Sequence, residues 1–180
     1  MIYYAGIGSR ETPDLVRQRI MGIAGQFADM GFTLRSGGAD GADSAFEIGC
    51  IQHKGPMEIF LPWKNFNGNT SPHYEVPDSA YKVAQKYHPA WIKLSPAAKK
   101  LMARNTQQIC GKNLDSPSDF VICWTPDGCT SGSTRTYKTG GTGQAIAIAS
   151  DLGIPVINLF NSNAEEQITK LIENLTNDQK

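Results

Sequence analysis

Short apolar runs alternate with helix-like segments along this chain, and the alternation restricts the fold more than any other feature. The runs are predicted strands at 2–7, 32–35, 57–63, 119–124 and 154–160. Each is apolar throughout rather than alternately apolar and polar, which is typical of strands buried on both faces of a parallel sheet. We therefore predict an α/β fold, a Rossmann-like parallel sheet with helices on both faces. A chain of 180 residues can form one domain with a substantial core, so we expect a single domain over 1–180.

The segments between the predicted strands carry helix signals. The clearest is 95–111, where Ser95 suits the N-cap, Pro96 the first turn and Gly111 the C-terminal end. The stretch after residue 63 is irregular and rich in Asn, Pro, Gly and Ser. We interpret about 64–95 as a loop and helical insertion into the sheet domain.

The amino-acid composition restricts the partners that this chain is expected to bind. Seventeen Lys and Arg balance seventeen Asp and Glu, so the formal net charge is zero and no overall field attracts nucleic acid or an anionic membrane. We expect no nucleic-acid partner and no membrane contact, although a local basic groove stays open. Four cysteines without metal-ligand spacing, and no signal-like or membrane-spanning run, indicate a reduced cytoplasmic protein. We expect no metal and no cofactor, and a homo-oligomer is left open.

Three predicted turns between a strand and a helix are rich in glycine, and all should lie at one edge of the sheet. They are "GIGSRETP" at 6–13, "SGGADGAD" at 36–43 and "TGGTGQA" at 139–145. A single such turn is explained by backbone geometry, but three together favour a phosphate-bearing ligand held by backbone N–H groups at helix N-termini. The motifs lack the third glycine of a dinucleotide fingerprint and a Walker lysine, so binding of NAD or a nucleoside triphosphate is disfavoured.

Residues in or near these turns form the candidate binding set. The phosphate candidates are Gly8, Ser9, Arg10, Thr139, Gly140, Gly141, Thr142, Gly143 and Gln144, and the further ligand candidates of the second turn are Ser36, Gly37 and Gly38. Arg104 and Asn105 are added from the helix at 95–111. A solvated helix face explains Arg104 readily, whereas Asn105 lies next to the apolar stripe.

The second turn also supplies three carboxylates, Asp40, Asp43 and Glu47. With Asp40 as N-cap, Asp43 falls at the third helical position, and capping explains both. Glu47 lies one turn further on the same face, where like charges cost about 0.2–0.5 kcal/mol per pair. We expect the carboxylates to face the crevice mouth or solvent and to bind ribose hydroxyls or a base. Repulsion from the two aspartates should raise the Glu47 pKa.

The order "GSR", "SGGADGADSAFE", "RN", "SDFVICW" and "TGGTGQA" resembles the SLOG superfamily over about residues 2–160. This Rossmann-like group includes the DNA-processing protein A family and the cytokinin-activating phosphoribohydrolases. Within it, the chain is most similar to small single-domain proteins of phages and bacteria. Those are generally inferred to bind nucleotides or related ligands, so the resemblance implies the same here.

Two departures from these relatives define the alternatives. The phosphoribohydrolases carry a catalytic glutamate after their glycine loop, where this chain has Gln144 and Ala145. An N-glycosidase acting on nucleoside monophosphates therefore requires Glu47, or next Asp43, as the catalytic carboxylate. The DNA-processing relatives usually have further domains and a basic single-strand groove, whereas this chain has no net charge. Its "SGS" at 131–133 is similar to their "SGS" turn, so a single-stranded-DNA-binding module is the third alternative. Whether turnover occurs stays open at this point.

Overall fold

Five parallel strands form one sheet in the computed structural model, which describes residues 1–177. The strands are β1 Tyr3–Gly8, β2 Thr33–Ser36, β3 Met57–Ile59, β4 Phe120–Trp124 and β5 Val156–Asn158. Their spatial order is β3-β2-β1-β4-β5, with Tyr4 of β1 paired to Leu34 on one side and Phe120 on the other. The predicted parallel sheet is confirmed.

Residues 1–177 include six α-helices. They are α1 Asp14–Asp29, α2 Ala42–Gln52, α3 Asp78–Tyr87, α4 Pro96–Cys110, α5 Thr142–Asp151 and α6 Ala164–Asn177. One core cluster joins α1, α2 and α6 to one face of the sheet, and a second joins α4 and α5 to the other face. The expected helices on both faces are therefore confirmed, and α3 packs on the outer side of α4.

The first core cluster is centred on aromatic rings. Tyr4 of β1 stacks on Phe120 of β4 with ring centroids 5.6 Å apart, and Phe27 of α1 contacts both rings edge-on. Burying such large side chains gives about 1.5–3 kcal/mol each. This packing fixes β1 against β4, the two strands whose ends hold the candidate site.

The predicted helix ends agree with the structure more closely than the predicted strand ends do. Ser95 caps α4 by accepting a hydrogen bond from the Ala98 N–H at 3.2 Å, and Gly111 ends the helix with φ of 80°. In contrast, β3 has only three residues, because Phe60 already leaves it to bridge His73 of the insertion. The insertion holds α3 and two short 3₁₀ turns, Phe66–Gly68 and Trp91–Lys93.

A helix that crosses a membrane must be both long and apolar. Within residues 1–177, none of the helices combines the length and the apolar character that a bilayer crossing requires.

Candidate functional site

A crevice of about 420 Å³ lies at the carboxyl ends of β1 and β4. The strand order reverses between these two strands, because β1 continues to α1 on one face and β4 leads to α5 on the other. Ligands of open α/β sheets bind at such a reversal. Ten of the residues singled out in the sequence line this crevice, namely Gly8, Ser9, Arg10, Asp43, Arg104, Asn105, Thr139, Gly140, Gly141 and Thr142.

The glycine turn before α5 lines the crevice. Gly140 has φ of 64° and ψ of −153°, a conformation that side chains other than hydrogen strongly disfavour. The N–H groups of Gly143 and Gln144 bind the carbonyl oxygens of Gly140 and Gly141. Within residues 1–177, the N–H groups of Gly141 and Thr142 have no acceptor. Two free donors at a helix N-terminus make a site for an anion.

Asp127, which the sequence analysis missed, holds the segment before this turn. Its carboxylate accepts hydrogen bonds from the Thr136 hydroxyl at 2.6 Å and the Thr139 hydroxyl at 2.5 Å. Burial acts to raise the pKa of Asp127, but the hydrogen bonds outweigh it and bring the pKa to about 2. The carboxylate is therefore ionised at neutral pH and orders the loop. Its place in "PDG" right after a predicted strand is the signal that could have found it.

The turn after β1 forms the opposite wall. A Cβ at Gly8 would lie 2.7 Å from both Ala42 Cβ and the Trp124 carbonyl oxygen, so only glycine fits. The Ser9 N–H binds the Trp124 carbonyl oxygen at 3.0 Å, which fixes the turn to β4. Arg10 is exposed at the crevice mouth and makes no ion pair within residues 1–177. Its guanidinium is available to an anion.

Arg104 is buried, with 4% of its surface exposed, so a solvated helix face does not explain it. Its guanidinium donates to the Gly37 carbonyl oxygen, and to that of Phe60 at 3.0 Å. Burial lowers the pKa of Arg104 to about 10, so it stays charged at neutral pH. It fastens α4 to the ends of β2 and β3 and makes the crevice floor positive.

Two amide side chains of α4 complete the floor. Asn105 Nδ2 donates to the Gly141 carbonyl oxygen at 3.2 Å, so it positions the glycine turn. Gln108 Nε2 donates to the Asp43 carboxylate at 3.4 Å. Gln108 was not predicted, although it lies four residues after Arg104 and hence on the same helix face. Lys138, also missed, directly precedes the turn and lines the crevice.

Asp43 lies inside the crevice with only 4% of its surface exposed, contrary to the expectation that it faces the crevice mouth or solvent. Burial raises its pKa to about 6, against the opposing effects of the Arg104 charge and of hydrogen bonds from backbone N–H groups of Ala39, Gly37 and Gly8. A carboxyl with a pKa near neutrality, in a cleft, is suited to proton transfer.

The other two carboxylates are not brought to the crevice. Gly41, not Asp40, is the N-cap of α2, and Asp40 is exposed in the preceding turn, so the predicted capping role of Asp40 was wrong. The three carboxylates accordingly do not share one helix face. Glu47 accepts a hydrogen bond from Asn69 Nδ2 of the insertion at 2.8 Å. Burial, rather than repulsion between carboxylates, is the main cause that raises the Glu47 pKa.

Several further candidates do not line the crevice and contact other parts of the protein instead. Ser36 Oγ donates to the Gly6 carbonyl oxygen at 2.7 Å, and Gln144 Nε2 donates to the Ala84 carbonyl oxygen at 3.3 Å. Gly37 and Gly38 give room to neighbouring side chains, and Gly143 packs against Arg135. These residues lie in the glycine turns that the sequence singled out or at their edges, but they are not among the residues that line the crevice.

Solved structures share this architecture. DNA processing protein A from Helicobacter pylori, whose structure concerns its single-stranded DNA binding mode, superposes with a TM-score of 0.56 at 18% identity, over 94% of this chain and 72% of that one. The Moco carrier protein of Chlamydomonas reinhardtii superposes with a TM-score of 0.53 at 16% identity, over 94% of this chain and 83% of that one. A second structure of that carrier gives 0.52 at 15% identity, over 95% and 85% of the two chains.

The chain has a SLOG-type Rossmann-like fold. No protein-family model and no curated protein sequence matches it. At these identities the likeness establishes the fold alone.

The expectation that nucleic acid is not a partner was wrong. A protein of the same fold, matched over 94% of this chain, binds single-stranded DNA. The physical reason lies in the charge distribution, because a net charge of zero does not describe a crevice where Arg10, Arg104 and Lys138 meet a helix N-terminus. Local charge decides phosphate contacts, and net charge decides only the long-range field.

Proposed function

We propose that the crevice binds a nucleotide or a nucleotide-derived small molecule through its phosphate. The observation that carries this is the pair of free N–H groups, Gly141 and Thr142, at the N-terminus of α5. Both residues line the crevice together with three cationic side chains, Arg10, Arg104 and Lys138. Backbone donors, a helix N-terminus and guanidinium groups are the elements with which proteins hold phosphate.

The rest of the crevice suits the remainder of a nucleotide. Its volume of about 420 Å³ falls in the range of about 300–1,000 Å³ that ligand pockets occupy. Asp43 and Gln108 offer polar atoms for ribose hydroxyls, and Leu101 and Met102 offer an apolar wall for a base. Residues 139–142 thus take the phosphate, and α2 and α4 together take the sugar and base.

Nucleotide binding is expected to raise the melting temperature. At a ligand concentration near 100 times Kd, mass action gives a Tm increase of about 5–10 °C for a chain of this size. A thermal-shift panel of mono-, di- and cyclic nucleotides measures it, with an oligo-dT as a separate arm because a strand offers the same phosphate chemistry. No shift and no calorimetric heat with any nucleotide at millimolar concentration contradicts the proposal. Binding of oligo-dT alone reassigns the crevice to a strand.

Asp43 favours a second candidate function, N-glycosidic cleavage of a nucleoside monophosphate. A carboxylate next to the sugar stabilises the oxocarbenium-like transition state or activates the attacking water. Two carboxyl side chains line the crevice, the buried Asp43 and the exposed Glu11, whereas Glu47 is engaged with Asn69 outside it. The catalytic role that the sequence suggested for Glu47 therefore passes to Asp43 in this proposal.

Base release from nucleoside monophosphates tests this second function. The rate should rise as pH increases through about 6, because the ionised form of Asp43 is the active one and burial sets its pKa there. Asp43→Asn should lower the rate by about 10²–10⁴-fold. Glu47→Gln, the matched control, should retain it. If a monophosphate binds and no base is released, the crevice binds without turnover.

A further inference from the structure

A second cavity adjoins the crevice on the other side of the segment 136–140. It has a volume of about 650 Å³, and we call it the outer pocket; Lys86, His88, Arg135, Tyr137 and Gly140 line it, with parts of the neighbouring loops. Gly140 lines both cavities. Apart from its two flanking residues, nothing lies within 4 Å of the position where a Cβ of Gly140 would be, so the space beside this shared residue is open.

The outer pocket is cationic. Lys86 and Arg135 line it, none of its lining residues is an aspartate or glutamate, and neither cation forms an ion pair within residues 1–177. Arg135 Nη1 donates to the Tyr87 carbonyl oxygen at 3.0 Å, which orients the guanidinium beside the pocket. An oriented guanidinium and a lysine without an ion pair favour an anionic group as the occupant.

Residues with aromatic rings, among them Tyr137 and His88, also line the outer pocket. Tyr137 is 89% exposed, an unusual state for an aromatic side chain that lines a cavity. His88 lies near Arg135, and burial together with that charge lowers the His88 pKa. Exposed rings next to cations are the surroundings in which nucleic-acid bases stack, at about 1–3 kcal/mol per base.

We propose that the outer pocket holds the second unit of a dinucleotide whose first unit occupies the crevice. This inference rests on the proposed function. The linking phosphate passes over Gly140, where a side chain would obstruct it, and the second unit stacks on Tyr137 and places its anionic group at Lys86 and Arg135. Lys138 and Tyr137, adjacent in sequence, line the crevice and the outer pocket respectively.

Calorimetric titration with matched ligand pairs tests this proposal. Each pair is a nucleoside monophosphate and the 5′-phosphorylated dinucleotide of the same base, such as AMP and pApA. For at least one base, the dinucleotide should bind at least about tenfold tighter, since one stacked base contributes about that much. Lys86→Glu and Tyr137→Ala should each remove most of this gain and leave monophosphate binding within about twofold. Lys82→Glu, an exposed residue of the same helix outside both cavities, is the matched control.

The outcomes separate this proposal from the one on which it rests. Monophosphate binding with no gain from the dinucleotide overturns the outer pocket alone. Equal losses with Lys82→Glu and Lys86→Glu also overturn it, because the effect would then be one of net charge. A (dA)₁₂ strand that binds more than tenfold tighter than pApA overturns the dinucleotide in favour of a strand. If neither member of any pair binds, the result contradicts both the proposed function and this inference.

Discussion

Arg104→Leu is expected to lower the free energy of unfolding by about 3–5 kcal/mol. The change removes both hydrogen bonds to the Gly37 and Phe60 carbonyl oxygens and leaves these groups buried without a donor. It also removes the positive charge that opposes the effect of burial on Asp43, so the pKa of this carboxyl should rise further. Urea denaturation followed by circular dichroism measures the loss.

Lys99→Leu is the control for this prediction. Lys99 is half-buried on the same helix, and its ammonium lies 5.7 Å from the centre of the Trp91 ring, so its replacement should change stability by about 0.5–1 kcal/mol, well below the effect at Arg104. Arg104→Lys should fall between the two, because an ammonium keeps the charge but not the planar fork that reaches both carbonyls. If Arg104→Leu unfolds at the same urea concentration as the wild type, Arg104 does not fasten α4 to the sheet.

Gly141→Asp is expected to weaken nucleotide binding by about 100-fold or more, since two like charges about 4 Å apart near a protein surface repel by about 4 kcal/mol. The fold should survive. Gly141 has φ of −63° and ψ of −25°, which any residue adopts, and its new Cβ would meet only the terminal methyl of Met102 at 3.0 Å. Calorimetry with the nucleotide that gives the largest thermal shift measures the loss.

Two variants separate charge at the turn from other effects. Gly141→Ala adds the Cβ without the charge and should keep most of the affinity. Gly22→Asp adds the same charge on the exposed face of α1, where no atom lies within 4 Å of the new Cβ, and should bind as the wild type does. Wild-type affinity in Gly141→Asp would place the phosphate away from this turn.

Local sequence rules determine much of this fold. Continuous apolar runs identified the parallel strands, because strands buried on both faces have no polar side. Ser95, Pro96 and Gly111 marked the ends of α4, since capping depends on residues within one turn. The end of β3 was misjudged because the bridge from Phe60 to His73 is a contact between distant segments.

At the candidate site too, features that depend on local sequence were predicted, whereas features that depend on tertiary packing were not. The glycine turns were found because positive φ and close approach demand glycine, as at Gly140 and Gly8. The burial of Arg104 and Asp43 depends on how α4 and α2 meet across the sheet, which helix periodicity does not give. Asp40 and Glu47 fit a sequence pattern, but the α2 N-cap at Gly41 and the partner Asn69 place them elsewhere.

The central claim is that the phosphate binds at the N-terminus of α5. An NMR titration measures the location of the phosphate directly, with ¹⁵N-labelled protein and either AMP or the nucleotide of highest affinity. We expect saturable amide shifts that are largest at Ser9, Arg10 and 140–142, with those of Gly141 and Thr142 moving as donors to a phosphate do. The same titration of Gly141→Asp should leave these amides unmoved. Shifts that saturate around Glu47 and Asn69, or no saturable shifts at all, would contradict phosphate binding at the N-terminus of α5.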